Sequence, residues 1–326
     1  MRGLEAEKSE PDSLNRRQAE EKPASACNRP VDGQKSVGEQ GQSQEQLAGW
    51  YQLRLSDFSP AAIAESGQCF RMFPGTEPGA YWLIAKGRLL RLRETKNAVS
   101  GAAEYAFSCT KEEFRNIWTP YFDLKQAYSR YRAVVPAEDR YLRRAMRYGR
   151  GIRILRQEPF ETLISFIISQ RRSVPAIRTA VAKLSECFGT PVTGPESAAL
   201  YAFPTPEQLA QASLEQLSAC GLGYRTGFVS ACARRVAEGS LDLDALAALS
   251  TPELIAALME LQGVGVKVAS CVALFGYHRL DASPVDVWMD RVIQQVYGGT
   301  FPACYRACAG VLQQYLFYYA RMEKQF

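Results

Sequence analysis

Near residue 110 the hydrophobic rhythm of this chain changes, and that change limits the fold more than any other feature. Before it come short runs rich in aromatic and aliphatic residues: Tyr81-Trp82-Leu83-Ile84-Ala85, Arg88-Leu89-Leu90-Arg91-Leu92 and Tyr105-Ala106-Phe107-Ser108. Turn residues separate them, so they predict strands of a small antiparallel sheet. From about residue 112 the texture is helical. Glu158-Pro159 opens an apolar face through Leu163, Phe166 and Ile167, and Val174-Pro175 opens another through Ile177, Val181 and Leu184 that ends at Gly189. Both put proline in a first helical turn, where its missing N–H costs nothing. Thr205-Pro206-Glu207-Gln208 reads as a capping box. Further helices are expected over 225–238, 251–261, 267–275, 286–297 and 305–321. The expected class is α+β, a small N-terminal antiparallel sheet (49–125) packed on a larger all-helical domain (126–326). Residues 1–48 are rich in Glu, Gln, Lys, Ser, Gly and Pro and read as a disordered leader, with order beginning near Trp50-Tyr51.

With 326 residues, 47% of them hydrophobic, the chain can bury a sizeable core. No apolar run approaches a membrane span, and the first residues lack the apolar stretch of a signal peptide. An intracellular, cytoplasmic protein is expected, nucleoid-associated in a bacterial host, with no membrane partner. The nine cysteines are scattered without a CxxC pair, and Cys304 and Cys308 have no second pair to complete a metal site. They read as small buried hydrophobes, and no metal or cofactor is expected. His278 is the single histidine. That argues against Ser-His-Asp, Cys-His and multi-histidine metal chemistry, and its polar loop, Gly276-Tyr277-His278-Arg279, reads as surface. Acid, base and nucleophile are left to Lys, Asp, Glu, Tyr and Cys. Charge is uneven. Residues 1–48 sum to −2 and residues 49–326 to +7, while Lys125 to Lys183 holds fourteen basic and four acidic side chains. A polyphosphate partner explains such an excess, and so do ordinary solvated helix faces.

The segment Leu261-Gln262-Gly263-Val264-Gly265-Val266-Lys267-Val268-Ala269 ends one helix and starts another across a Gly-x-Gly turn. Glycines let the backbone turn tightly and approach a ligand. The unpaired N–H groups of the next helix's first turn form an anion site, so Gly263, Gly265 and Val266 are expected to meet a DNA phosphate. A cation in a first helical turn opposes the dipole, so Lys267 is poorly placed as a surface charge. As a nucleophile it is well placed, because the same field favours the uncharged amine. A phosphate-binding lysine is the bland alternative. Nineteen residues on, Ser283-Pro284-Val285-Asp286-Val287-Trp288 places Asp286 as a helix N-cap. Paired with Lys267, its carboxylate could stabilise positive charge developing on a sugar.

The pattern Leu-x-Gly-Val-Gly-x-Lys-Val-Ala-x-Cys followed by Pro-Val-Asp-Val resembles the helix-hairpin-helix DNA glycosylases, and among them the 8-oxoguanine DNA glycosylases. Ser66-Gly67-Gln68-Cys69-Phe70-Arg71, Gly151-Ile152-Arg153-Ile154-Leu155-Arg156-Gln157, Phe166-Ile167-Ile168-Ser169 and Gly221-Leu222-Gly223-Tyr224-Arg225 extend the resemblance from about residue 50 onward. It implies a base-excision repair glycosylase acting as a monomer on duplex DNA that contains a damaged purine, 8-oxoguanine. Lys267 would attack the sugar C1′ and form a Schiff base that permits β-elimination, the AP lyase step, with Asp286 in support. The damaged base must first leave the helix. Tyr224 matches the side chain that wedges into the gap and Arg225 one that contacts the base left behind. Gly67 matches the carbonyl that accepts N7–H of 8-oxoguanine, a hydrogen guanine lacks. Cys271 and Phe317 match the pair that sandwiches the purine and Gln313 one that bonds its Watson–Crick edge. Without the resemblance, Cys271 and Phe317 read as core and Gln313 as a surface amide.

Three departures stand out. The usual asparagine run is Gln170-Arg171-Arg172-Ser173, Ala176 replaces an arginine that faces the estranged cytosine, and Trp288 replaces a histidine at a phosphate contact. Preference for cytosine opposite the lesion should therefore be relaxed, with Arg171 a partial substitute on the DNA side. Two other readings remain: a glycosylase of the same superfamily for alkylated purines, and a non-catalytic helix-hairpin-helix DNA-binding protein.

Overall fold

The computed structural model describes residues 49–99, 101–192 and 199–323. The leader expected over residues 1–48 lies outside them. The sheet forms first in chain order: β1 (Tyr51–Ser56), α1 (Pro60–Glu65), β2 (Met72–Pro74), β3 (Ala80–Ala85), β4 (Arg88–Val99) and β5 (Ala102–Phe107). Its order is β1-β5-β4-β3-β2, antiparallel at every pairing. Leu83 pairs with Leu90 and Leu92 with Phe107, so the middle of one face is apolar, with Arg88 and Glu94 at its ends. That face packs on α1 and, after the short α2 (Lys111–Glu113), on a π turn (Phe114–Trp118) and α3 (Thr119–Tyr121). Trp118, Phe107 and Phe122 are wholly buried there. β1 and β2 were not among the expected strands. β2 is only three residues long and ends in Pro74, too short for alternation to show.

The remainder is helical: α4 (Ser129–Ala133), α5 (Arg140–Tyr148), α6 (Pro159–Ile168), α7 (Val174–Phe188), α8 (Pro206–Ala210), α9 (Leu214–Ala219), α10 (Thr226–Ala237), α11 (Thr251–Met259), α12 (Val266–Phe275), α13 (Val287–Tyr297) and α14 (Ala309–Met322). Pro159 and Pro175 sit in the first turns of α6 and α7, and Thr205 with Gln208 forms the capping box on α8. Every residue of α12 from Val268 to Phe275 is buried, so it is the central rod of the helical core. The helical part is not purely helical, because β6 (Pro191–Val192) and β7 (Leu200–Tyr201) pair after α7. Strands of two residues carry no detectable period.

A second expectation fails at His278. Its side chain is 8% exposed, with Nε2 3.3 Å from an Asp123 oxygen. Asp123 also accepts from Arg156 at 3.1 Å and from the Tyr128 hydroxyl at 3.2 Å. Both His278 and Asp123 adopt positive φ, so two tight turns far apart in sequence fold onto one another. Among the described residues no helix is long and apolar enough to cross a membrane, and no group of His, Cys, Asp or Glu is placed to hold a metal.

Candidate active site

α11 and α12 meet across the turn 260–265, and the two glycines there serve different ends. Gly263 has φ +80°, and a Cβ there would strike the ring of Phe228 on α10. Gly265, the N-cap of α12, has φ −93° and nothing within 4 Å of a Cβ. Folding therefore demands glycine at 263, whereas at 265 it leaves open space in front of the first-turn N–H groups, with Val266 exposed beside it. Lys267 is the second residue of α12 and half-buried. Its Nζ lies 3.4 Å from Ser169 Oγ and 5.2 Å from the centre of the Phe166 ring. Neither contact was anticipated from the sequence, because almost a hundred residues separate α6 from α12.

Asp286 caps α13, its Oδ1 accepting from the N–H groups of Trp288 at 3.1 Å and Met289 at 2.9 Å. Burial raises the Asp286 carboxyl above the ordinary aspartate value, and the two N–H donors and the Lys267 charge only partly offset it. The N-termini of two helices thus bring the amine and the carboxylate near enough for the Lys267 charge to act on Asp286.

They line one cavity with Gly67, Phe166, Cys271, Phe275, Pro284, Gln313, Gln314 and Phe317. All four residues expected to form the base pocket are present. Gly67 has φ +74°, and a Cβ there would stand 3.0 Å from the Phe317 ring. Buried amides hold its loop. Gln68 Nε2 donates to Ser66 Oγ and to the Arg153 carbonyl, each at 2.9 Å. Gln157 donates to the Gln68 carbonyl at 2.7 Å, and Gln314 of α14 donates to the Ser66 carbonyl. Gln313 is 4% exposed and its Oε1 lacks a partner, so it is a buried amide aimed into the cavity and not the surface side chain it resembles in isolation. Burial pushes the Cys271 thiol up to about 11 against the pull of the Lys267 charge, so it stays protonated and serves as an apolar wall.

Three loops, 169–173, 221–225 and 260–265, are tied together next to Lys267. Tyr224 is 57% exposed at its tip and packs edge-on against Phe228, which itself faces Gly263. Arg171, in the turn after α6, is exposed with φ +52°. Gln170 Nε2 donates to the Gly263 carbonyl at 3.0 Å, and Arg172 donates to the Gly221 carbonyl, tying the loops together. Arg225 is placed differently from expectation. It is 5% exposed, stacks on Tyr224 at 4.2 Å and donates to the carbonyls of Leu222 and Gln170. It braces the loop 221–225 from below, and the contact with an orphaned base that the resemblance implies would require those bonds to open. Ala176 is exposed in the first turn of α7, and the ring of Trp288 lies 5.4 Å from the Arg291 guanidinium.

The basic excess of 125–183 separates into parts. Arg132 and Arg150 pair with Asp57, Arg156 with Asp123 and Arg178 with Glu65, while Arg153 is buried with its guanidinium on backbone carbonyls. These are structural, and the solvated or phosphate-facing share of the excess is correspondingly smaller.

Comparison with known proteins gives a consistent neighbourhood. Residues 51–163 match the family described as 8-oxoguanine DNA glycosylase, N-terminal domain. Residues 164–301 match the HhH-GPD superfamily of base excision DNA repair proteins. The protein MBOgg1, solved with a low-affinity DNA ligand, is 32% identical with a TM-score of 0.77, over 89% of this chain and 99% of its own. The Clostridium acetobutylicum 8-oxoguanine glycosylase/lyase, solved with duplex DNA containing cytosine opposite 8-oxoguanine, is 31% identical with a TM-score of 0.74, over 82% of this chain and 93% of its own. The N-glycosylase/DNA lyase of Saccharomyces cerevisiae is 37% identical over 158 residues, 45% of this chain and 42% of the yeast protein. The chain thus spans less than half the length of that curated relative.

Proposed function

Because this chain belongs to the 8-oxoguanine DNA glycosylase family of the helix-hairpin-helix base-excision superfamily, we propose that it excises 8-oxoguanine from duplex DNA and cleaves the resulting abasic strand by β-elimination. The observation that carries this reading is the Lys267 amine in a recess lined by Gly67, Cys271, Gln313 and Phe317, held by Phe166 and Ser169 and sharing that recess with the half-buried Asp286 carboxylate. In the proposed reaction the Lys267 nitrogen forms a bond to C1′ as the glycosidic bond breaks. The bonding pair leaves with the purine, which takes up a proton as the amine gives one up. The anionic Asp286 stabilises the positive charge that spreads over the sugar in between. Ring opening gives the Schiff base, whose C2′ proton is then acidic enough for the 3′ phosphate to be eliminated.

The cavity holds about 40 Å³, room for a few waters. A flipped purine must therefore part Phe317 from Cys271 and slide between them, leaving Gly67 to offer its carbonyl and Gln313 its unpaired amide. The reading takes a monomer as the acting unit. With Ala176 at the estranged base, discrimination among opposite bases should be weak.

The test is cleavage of oligonucleotides bearing 8-oxoguanine opposite each of the four bases, with borohydride trapping of the covalent intermediate. Excision opposite all four within roughly tenfold, about 1.4 kcal/mol of discrimination, is expected from the wild type, and neither adduct nor strand cleavage from Lys267→Gln. Undiminished excision by Lys267→Gln refutes the nucleophile. Excision without a trappable adduct favours a water-activating alkylpurine enzyme, and binding without any excision favours a non-catalytic module.

A further inference from the structure

α5 has the sequence Arg-Tyr-Leu-Arg-Arg-Ala-Met-Arg-Tyr, and all four of its arginines, Arg140, Arg143, Arg144 and Arg147, are exposed. Among the described residues none of the four makes an ion pair, and Arg143 reaches only the Val135 carbonyl at 3.4 Å. The helix itself bears no acidic residue. Such a stripe is unfavourable to the helix. Arg140 lies at the positive end of the dipole, and Arg140/Arg144 and Arg143/Arg147 are like charges four apart. Yet the helix is firmly held. Its cap Asp139 accepts from Leu142 N–H at 3.0 Å, from Tyr297 at 3.1 Å and from Tyr305 at 2.9 Å, and Tyr141 and Tyr148 pack on Tyr319 of α14. A rigid row of unpaired guanidiniums about 10 Å long matches successive phosphates along one strand.

The row does not border the catalytic mouth. α14 turns Gln313, Gln314 and Phe317 to the cavity and Tyr318 and Tyr319 to α5, and at 100° per residue these faces lie on roughly opposite sides of the helix. We propose that the α5 arginines form a second binding surface for duplex DNA, which holds another segment while the first occupies the active site. This rests on the DNA-glycosylase reading above. Two contacts of this kind would let the enzyme pass between segments without dissociating.

The test saturates the full-length protein with a short duplex, about fifteen base pairs, carrying an uncleavable abasic analogue, and then titrates a labelled, undamaged duplex of thirty base pairs. A ternary complex is expected from the wild type. Arg140→Gln/Arg143→Gln/Arg144→Gln/Arg147→Gln should weaken it at least tenfold and lower the log–log salt slope by about three. Single-turnover excision of 8-oxoguanine from a separate duplex of the same short length should be unchanged, which also reports an intact fold, and in ternary-complex formation Arg144→Gln/Arg147→Gln should fall between. No ternary complex with the wild type, or one indifferent to the arginines, overturns the proposal. Failure to bind the short lesion duplex at all would overturn the glycosylase reading instead.

Discussion

Asp286 caps a helix and, in the proposed reaction, acts as an anion, while its burial opposes the ionised form that both roles favour. As a cap it satisfies two backbone donors, and as an electrostatic partner of Lys267 it must be anionic in a site whose burial favours the neutral acid. A carboxyl raised in the folded state contributes stability when protonated. That contribution is complete below the ordinary value of 3.8 and is lost as pH rises through the raised one. Near neutral pH the anion is therefore carried at a cost to the fold. Asn caps helices as well as Asp, so Asp286→Asn should leave the thermal midpoint at pH 7.5 no lower than wild type while excision drops on the order of 10²–10³-fold. Asp286→Ala, which also removes the cap, should lose about 0.5–2 kcal/mol. In the wild type the acid limb of the activity profile should lie above the ordinary aspartate range. A marked fall in midpoint for the Asn variant, with excision intact, would mean that Asp286 is a cap alone.

At the scale of elements, the two glycines of the hairpin separate what a turn needs from what a ligand needs. Gly263→Ala meets both a left-handed backbone and the Phe228 ring. It should cost the fold at least about 1–2 kcal/mol and loosen the Tyr224 wedge that leans on Phe228. Gly265→Ala meets neither, so the midpoint should hardly move while affinity for duplex DNA falls, because a methyl group would occupy the place of a phosphate. Equal loss of stability in both variants would sink this division. The hairpin, its glycines and the caps at Thr205 and Asp286 were readable in the sequence because each depends on residues within a few positions. What was not readable depends on partners far along the chain. Ser169 and Phe166 beneath Lys267, Gln314 on the Ser66 carbonyl, and Asp123 beside His278 have no local signature. Arg225 was expected at the DNA because Gly221-Leu222-Gly223-Tyr224-Arg225 resembles the wedge loop of the family, yet two backbone carbonyls and a tyrosine face hold it inside.

At the scale of the whole molecule, the sheet and the helical core meet beside the base pocket, and the join contains a charge pair with an unusual balance. Arg71, four residues after Gly67, donates to Ser185 and to the Tyr201 carbonyl and lies 3.9 Å from Glu161 of α6. Burial raises the Glu161 carboxyl to about 7 and Glu158 adds to the rise, against the pull of Arg71 and Lys86, so desolvation outweighs the ion pair. The sign follows from the raised value. The stabilising contribution of the protonated acid is full below 4.5 and disappears as pH climbs through about 7. Glu161→Gln mimics that neutral form. Its thermal midpoint should match wild type near pH 5 and exceed it by several degrees at pH 8.5, as measured by calorimetry at both values. If the wild type proves the more stable protein at pH 8.5, the Arg71 charge governs the join and Glu161 is ionised in the folded state at neutral pH. Because Phe70 of the same loop packs on Phe166 beneath Lys267, loosening this join with rising pH should also reach the pocket, and wild-type excision should decline above pH 8 more steeply than that of the Gln variant.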